Sequence, residues 1–509
     1  LPKLITKKFF RPNIRSLRNI IIIILMLVLF ILPYLWVSLS IPANYQGEKV
    51  IYSDNIVSVS EVVNELTPVI SQDLEIYRPE YLILFFSTII GIGMDLFSPF
   101  FIALFVLITR PIAYLKRKSL ISKAIEKMEK LPKVRVVSVT GSYGKSTTKE
   151  IIFQIISQRF NTIKTDKNNN TDVGIASTIL RKLKKDTEVF VAEMGAYKIG
   201  EIEDCCKVTR PNIAIITGID QQHLSLYGSI KSILDSSYEV IECLSPGGLS
   251  IFNGDNEYCI KLAEKTKTRK QFYFSASNVE KMVSHKFDFD DKDDSKSRKG
   301  ISHSISVSDI KESRRGLVFK LQYDTKEYLL KTNLKVQYNI SNLMAAILVA
   351  IELGLDIKDI VDIINKTEFQ VPYLNIVEGI NGVKVLDDGY NANFTGFIAA
   401  LDHLKNLKTS GKKFVFTQGI IELGQEREKS YHELSKHILN NSDGVFTNDK
   451  DLYFALLDRK SNKLIKYIDS VFDFAIYYKS MISEGDLLLI EGPFPRSVLD
   501  KIYSKKVHD

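Results

Sequence analysis

An eight-residue segment, Thr140-Gly-Ser-Tyr-Gly-Lys-Ser-Thr147, lies between a short β-branched run, Val134–Val139, and a helical pattern from Ser146 to about Ser157. A buried strand that turns through glycines into a helix N-terminus points backbone N–H groups and the helix dipole at one spot, where an anion is favoured. Gly141 and Gly144 let the backbone approach a phosphate closely. Lys145 supplies a point charge for the β/γ-phosphates, and Ser146 can ligate Mg²⁺. The whole segment, Thr140, Gly141, Ser142, Tyr143, Gly144, Lys145, Ser146 and Thr147, is therefore expected to bind ATP with Mg²⁺. The longer phosphate loop would need Gly at position 139; Val139 stands there, so this is the shorter form.

Such a loop works only at the end of a covered strand, and the rest of the chain supplies more of them. Apolar runs at 189–193, 213–217, 249–253, 383–386, 414–417 and 487–491 read as buried strands, with helical patterns between most of them. Alternation of this kind implies parallel sheets with helices on both faces. The expected fold class is α/β: two transmembrane helices, a phosphate-loop parallel-sheet ATPase domain at 121–360, and a Rossmann-like α/β domain at 361–509. The stretch 276–315, with Asp288 to Ser297 poor in apolar residues, reads as a solvated insertion.

The first 120 residues read as a membrane region. No charge occurs between Asn19 and Gly47, and a second apolar run covers Leu82–Thr109, broken only by Asp95. A spanning helix needs about 20 apolar residues, so spans are expected near 19–41 and 82–109. A cleaved signal peptide would have a shorter apolar core and an Ala-x-Ala site. Lys3, Lys7, Lys8, Arg11, Arg15 and Arg18 precede the first run, and Arg110, Lys116, Arg117 and Lys118 follow the second. The loop between, at about 42–80, holds only Lys49 and Arg78 against seven acids. Basic loops stay on the cytosolic side. The expectation is thus a multi-pass protein of the inner (plasma) membrane, with cytoplasmic catalytic domains and the lipid bilayer as a partner. Asp95, at membrane depth, is either functional or part of a broken hairpin with Gly91, Gly93 and Pro99. A net charge of +8 with this distribution needs no nucleic acid to explain it. The four cysteines form no CxxC pair, which fits a reducing compartment.

The phosphate loop, in its Thr-Gly-x-x-Gly-Lys-Ser-Thr form, resembles that of the Mur ligase family. Further segments resemble the family's motifs in the family's order: Asn168–Gly174, Glu193-Met-Gly-Ala196 with Gly200-Glu-Ile202, His223-Leu224 with Gly228-Ser229, Asn339 and Asn342, Asp387-Asp-Gly-Tyr-Asn-Ala-Asn393, and Ile421–Gly424. The Asp387–Asn393 segment is similar to the signature of the D-alanyl-D-alanine-adding branch. The likeness runs over about 133–500. It implies an ATP-dependent, ADP-forming amide (peptide) ligase of peptidoglycan precursor synthesis: ATP phosphorylates a carboxylate to an acyl phosphate, which an amine then attacks. It implies catalytic roles for Lys145, Glu193 and His223, and metal contacts from Ser146, Glu193 and His223. Adenine would fall to Asn339, the ribose or a phosphate-side contact to Asp388, and the amine substrate to Asn391 and Asn393. The implied partners are a muropeptide-like carboxylate acceptor, soluble or lipid-linked, and an amino acid or dipeptide amine.

The chain departs from the family pattern at several points. Ser237 stands fourteen residues after His223, where many members have a carbamylated lysine that serves a second metal. Tyr338 replaces the His of the adenine motif, Pro372-Tyr-Leu-Asn375 lacks the family's Arg, and Glu491-Gly-Pro-Phe-Pro-Arg496 replaces Lys-Gly-Ser-Arg. The spans are expected to stand where relatives grip the UDP of a soluble precursor. Other readings share an anchored ATP site: a poly-γ-glutamate-type synthetase, a tyrosine kinase of polysaccharide export, and a non-catalytic ATP-binding scaffold. The Asp387–Asn393 signature opposes the first, the short loop the second, and intact Lys145, Glu193 and His223 the third.

Overall fold

The structure, a computed structural model, describes residues 79–504 apart from 221–223, 275–304, 314, 372–374, 390–391 and 421–422. The chain divides into two units, Leu1–Lys118 and Ser119–Asp509. In the first, the described part is the start of one helix, Pro79–Glu129, which continues into the second. The expected span at 82–109 lies inside this helix. The broken hairpin expected around Asp95 is not formed, because the helix runs unbroken through Gly91, Gly93, Pro99 and Pro111. Its stretch from Ser98 is long and apolar enough to cross a membrane by length and composition. Phe100, Leu107 and Ile108 on it are 63%, 64% and 60% exposed, so no core among the described residues accounts for their apolarity. The expected span at 19–41 and the loop at 42–80 lie outside the described residues, save for Pro79 and Glu80 at the start of that helix.

Within the second unit, strands β1 (Arg135–Thr140), β2 (Thr162–Lys164), β3 (Val189–Glu193), β4 (Ile213–Ile216), β5 (Leu249–Asn253), β6 (Arg269–Phe274), β7 (Ile305–Ser313), β8 (Gly316–Tyr323) and β9 (Lys326–Thr332) form one sheet. Its order is β2-β3-β1-β4-β5-β6-β7-β8-β9. β3, β4 and β5 are buried along their whole length, and β1 from Val136 onward, as parallel strands covered on both faces must be. Pairing is parallel from β2 to β7 and antiparallel from β7 to β9. The insertion expected to reach 315 therefore ends earlier. Ile305 and Val307 are buried in the core and begin a strand, while the acidic part lies outside the described residues.

The second sheet, β10 (Asn375–Glu378), β11 (Lys384–Asp388), β12 (Lys413–Thr417), β13 (Gly444–Thr447), β14 (Leu464–Tyr467) and β15 (Leu487–Glu491), has the order β10-β11-β15-β12-β13-β14. All its pairings are parallel except β10 with β11. The boundary expected at 361 falls inside helix Ile357–Lys366. Ile360, Ile364 and Phe369 of this segment pack into the core of the first sheet, so the chain crosses to the second only after Phe369. The apolar helix Tyr338–Glu352 is buried almost throughout and shares a core with helix Lys145–Ile156, which follows the phosphate loop.

Candidate active site

The first sheet turns back on itself at β1. The chain leaves β1 for β2 and β3 on one side and returns to β4 on the other. Ligands of open α/β sheets bind at the strand ends beside such a reversal. Residues 141–144 lie there, and helix Lys145–Ile156 begins at once. Gly141 has φ +136° and Gly144 φ +77°. A Cβ on Gly141 would stand 2.5 Å from Thr217 Oγ1, and one on Gly144 2.7 Å from Asn342 Oδ1. Both positions thus require glycine, for backbone angle and for space. Lys145 Nζ donates to Gly141 O at 2.5 Å and Ser142 O at 3.2 Å, so the ammonium is folded over the loop it serves. Burial lowers its pKa, and the Glu193 charge opposes that shift.

Glu193 ends β3 and is buried. Ser146 Oγ donates to its Oε1 at 2.9 Å, and Lys149 Nζ to its Oε2 at 3.0 Å. A hydroxyl and a carboxylate oxygen side by side at a phosphate loop are hard oxygen donors of the kind Mg²⁺ takes, with water and substrate phosphates completing its shell. The residues present therefore fit the ion. Among the described residues no cluster of three His, Cys, Asp or Glu forms a closed metal site. His223, the other expected metal contact, lies outside the described residues, as does Asn391.

A cavity of about 670 Å³ opens from the loop toward the second sheet and is lined on that side by Asp388, Asn393 and Thr395. Asp388 closes β11 and pairs in register with Glu491 at the end of β15. Burial, then the charge of Asp387, raises the Asp388 pKa to about 7. Burial, then Asp388, raises Glu491 well above the usual carboxylate range. Two acidic groups this close and this dry cannot both ionise cheaply. The two sheets are joined at the cavity rim. Asp220 Oδ2 accepts from the backbone N–H of Thr395 at 3.1 Å and from its hydroxyl at 2.8 Å. Asp220 N in turn donates to Ser142 Oγ at 3.0 Å, so the second sheet is tied directly to the phosphate loop.

The structure thus gathers Thr140, Gly141, Ser142, Tyr143, Gly144, Lys145, Ser146, Thr147, Glu193, Asp388 and Asn393 around one cavity. It treats two expected residues differently. Asn339 does not line the cavity; it is buried, and its Oδ1 accepts from Asn342 Nδ2 at 3.1 Å. Asn342 reaches the cavity instead, its own Oδ1 accepting from Thr148 Oγ1 at 3.0 Å. Asn393 caps helix Phe394–Asn406: its Oδ1 accepts from Gly396 N at 2.8 Å, which leaves its NH₂ and one oxygen lone pair for a ligand. Residues that sequence reasoning passed over are Lys149, Asp220, Thr395 and His403, while Glu491 entered only as a departure from the family pattern. Lys149 alone had a local signal, one helical turn after Lys145 on the same face.

Residues 139–350 match the family described as the Mur ligase middle domain. The chain is 29% identical over 364 residues to the UDP-N-acetylmuramoyl-tripeptide--D-alanyl-D-alanine ligase of Borreliella burgdorferi, covering 70% of this chain and 71% of the relative. The enzyme of that name from Buchnera aphidicola is 28% identical over 307 residues, 60% of this chain and 61% of the relative, so less than two thirds of that protein is spanned. Among solved structures, a MurF ligase from Thermotoga maritima in complex with ADP has a TM-score of 0.61 at 24% identity, covering 76% of this chain and 83% of that one. MurF from Acinetobacter baumannii has a TM-score of 0.61 at 23% identity, covering 74% and 77%. These likenesses show that the two-sheet α/β arrangement is shared.

Proposed function

We propose that this chain, which carries a Mur ligase middle domain at residues 139–350, is an ATP-dependent, ADP-forming amide ligase of the D-alanyl-D-alanine-adding type. The observation that carries the reading is the cavity between Lys145 and Asp388, rimmed by the Asp220–Thr395 bridge. A triphosphate and a carboxylate must meet in such a place against their own repulsion. The loop amides and Lys145 hold and neutralise the phosphates, and that electrostatic preorganisation is the largest contribution available here. Ser146 and Glu193, with His223 as the resemblance implies, would hold Mg²⁺, and the ion would supply further neutralisation of phosphate charge there. The γ-phosphoryl passes to the acceptor carboxylate with ADP leaving. The amine then forms the amide bond as inorganic phosphate leaves. The acceptor is a muropeptide with a free carboxylate, and the amine is D-alanyl-D-alanine or a similar dipeptide or amino acid.

The exposed apolar helix from Ser98 supports a second element of the reading, tethering of the enzyme to a bilayer with its ATP site on the cytosolic face. Confinement to one surface raises the effective concentration of an acceptor held on the same surface. The test is ADP release by detergent-solubilised protein with D-alanyl-D-alanine plus either a soluble UDP-linked or a lipid-linked muropeptide, before and after removal of residues 1–118. Ligation only with glutamate and a growing γ-linked chain would instead make it a poly-γ-glutamate-type synthetase. ATP binding with no turnover on any acceptor would leave a scaffold. Equal activity of the shortened protein on both acceptors would reject tethering.

A further inference from the structure

Helix Phe394–Asn406 presents one face to the cavity, at Thr395, Ala399, Asp402, His403 and Asn406. This is the i, i+4, i+7 spacing of a single helical stripe. Thr395 is held at the phosphate-loop end by Asp220. His403 is eight residues further on, about 12 Å along the helix axis at 1.5 Å per residue. That is the length scale over which the ribose and base of a nucleotide extend from its phosphates, and the cavity lining continues over it.

His403 is only 5% exposed, and neither ring nitrogen has a hydrogen-bond partner. Its neighbour Asp402 is satisfied, since its Oδ1 accepts from Asn441 Nδ2 at 3.1 Å. Burying a polar ring unpaired is costly, and such groups in folded proteins call for a reason. Burial, then the Lys335 charge, lowers the His403 pKa to about 4, so at neutral pH the ring is uncharged. A neutral imidazole offers one donor and one acceptor. The same cavity is lined by Val336, Tyr338 and Gln337, an apolar, an aromatic and an amide side chain. A flat ligand with apolar faces and a polar edge suits these walls; stacking on the aromatic is tolerant of ring identity, whereas a hydrogen-bonding edge is not.

We propose that His403 is a specificity residue of the nucleotide site, hydrogen-bonding the edge of the purine base of ATP. This rests on the assignment of the cavity to ATP. Discrimination follows because a base that mismatches the imidazole leaves buried polar groups unpaired on both sides.

The experiment uses the full-length protein in detergent and measures binding of ATP, inosine triphosphate, UDP and inorganic tripolyphosphate by calorimetry, with thermal unfolding of the ligand-free protein alongside. In the wild type, ATP should bind more tightly than both tripolyphosphate and inosine triphosphate. His403→Leu should weaken ATP about tenfold or more, a loss on the scale of one buried hydrogen bond. Tripolyphosphate affinity should stay the same, and the ligand-free protein should unfold at the same or a higher temperature. A residue that only props up the fold would do the reverse, lowering the unfolding temperature and leaving the preference for ATP over tripolyphosphate intact. His403→Gln, which keeps a donor and an acceptor, should restore part of the preference even if the Leu variant fails to fold. Unchanged ATP selectivity in both variants overturns the proposal, as does a loss of UDP rather than ATP binding. If the wild type binds tripolyphosphate and ATP equally, His403 reads no base while the phosphate site stands. If it binds none of the four, the assignment to ATP fails with it.

Discussion

Replacing Asp388 by Asn tests the buried carboxyl pair most directly. In the fold, burial and then the Asp387 charge push the Asp388 pKa up to about 7 from an ordinary value of 3.8. The difference is about three units, and each unit corresponds to about 1.4 kcal/mol. Because the folded pKa lies above the unfolded one, the native state keeps the proton longer. This group's contribution is complete below its unfolded pKa and is lost as pH rises through the folded value. Wild-type stability should therefore fall relative to Asp388→Asn between about pH 4 and 7, by at most about 4 kcal/mol. The amide cannot ionise, so the variant lacks this slope. The assay is urea unfolding followed by circular dichroism at several pH values from 4 to 8 on residues Ser119–Asp509, which form a compact unit. Subtracting the two proteins' unfolding free energies at each pH cancels, to first order, the titration of every group outside the Asp388–Glu491 pair. A difference that stays constant from pH 4 to 8, or that runs the other way, would refute the account of Asp388 and Glu491 as a pair forced to retain a proton.

Lys145→Ala should reduce ATP-dependent turnover by about 10²–10³-fold, since the phosphates lose their fixed cation; ADP release measures it. Glu193→Ala should raise the Mg²⁺ concentration needed for half-maximal rate as well as lower the rate, which a Mg²⁺ titration of turnover reads directly. Lys149→Met should cost about 3–5 kcal/mol in unfolding free energy, because Glu193 is left buried beside a thioether; a loss below 1 kcal/mol would show that the pair is solvated. Gly144→Ala places a Cβ 2.7 Å from Asn342 Oδ1 at φ +77°, and should raise the KM for ATP while lowering the melting temperature. Thr395→Val removes the 2.8 Å hydroxyl bond to Asp220 and should cost about 1.5–3 kcal/mol of the tie between the two sheets, seen as a raised KM for ATP or acceptor.

The sequence by itself determined the features that depend on near neighbours. The runs 189–193, 249–253 and 487–491 became β3, β5 and β15 with the expected bounds, because a short, mainly apolar stretch between helical patterns has one stable place in an α/β fold, the covered middle of a sheet. The phosphate loop was equally legible, since strand, glycines, lysine and helix start are consecutive and the backbone angles at Gly141 and Gly144 admit no other residue cheaply. Tertiary structure decided what depends on which distant segments meet. β7 to β9 were not read as strands, because half-exposed antiparallel strands at a sheet's end carry mixed polarity; β7 runs from buried Ile305 to exposed Ser313. Asn339 and Asn342 look equivalent in sequence. Which one reaches the cavity depends on Gly144 and Thr148 packing against their helix. The pairing of Asp388 with Glu491 joins strands about a hundred residues apart, and the Asp220–Thr395 bridge joins two sheets. Neither has a local pattern, because electrostatic and hydrogen-bond energies follow distance in space, while sequence spacing reports only the neighbours within a turn or a pleat.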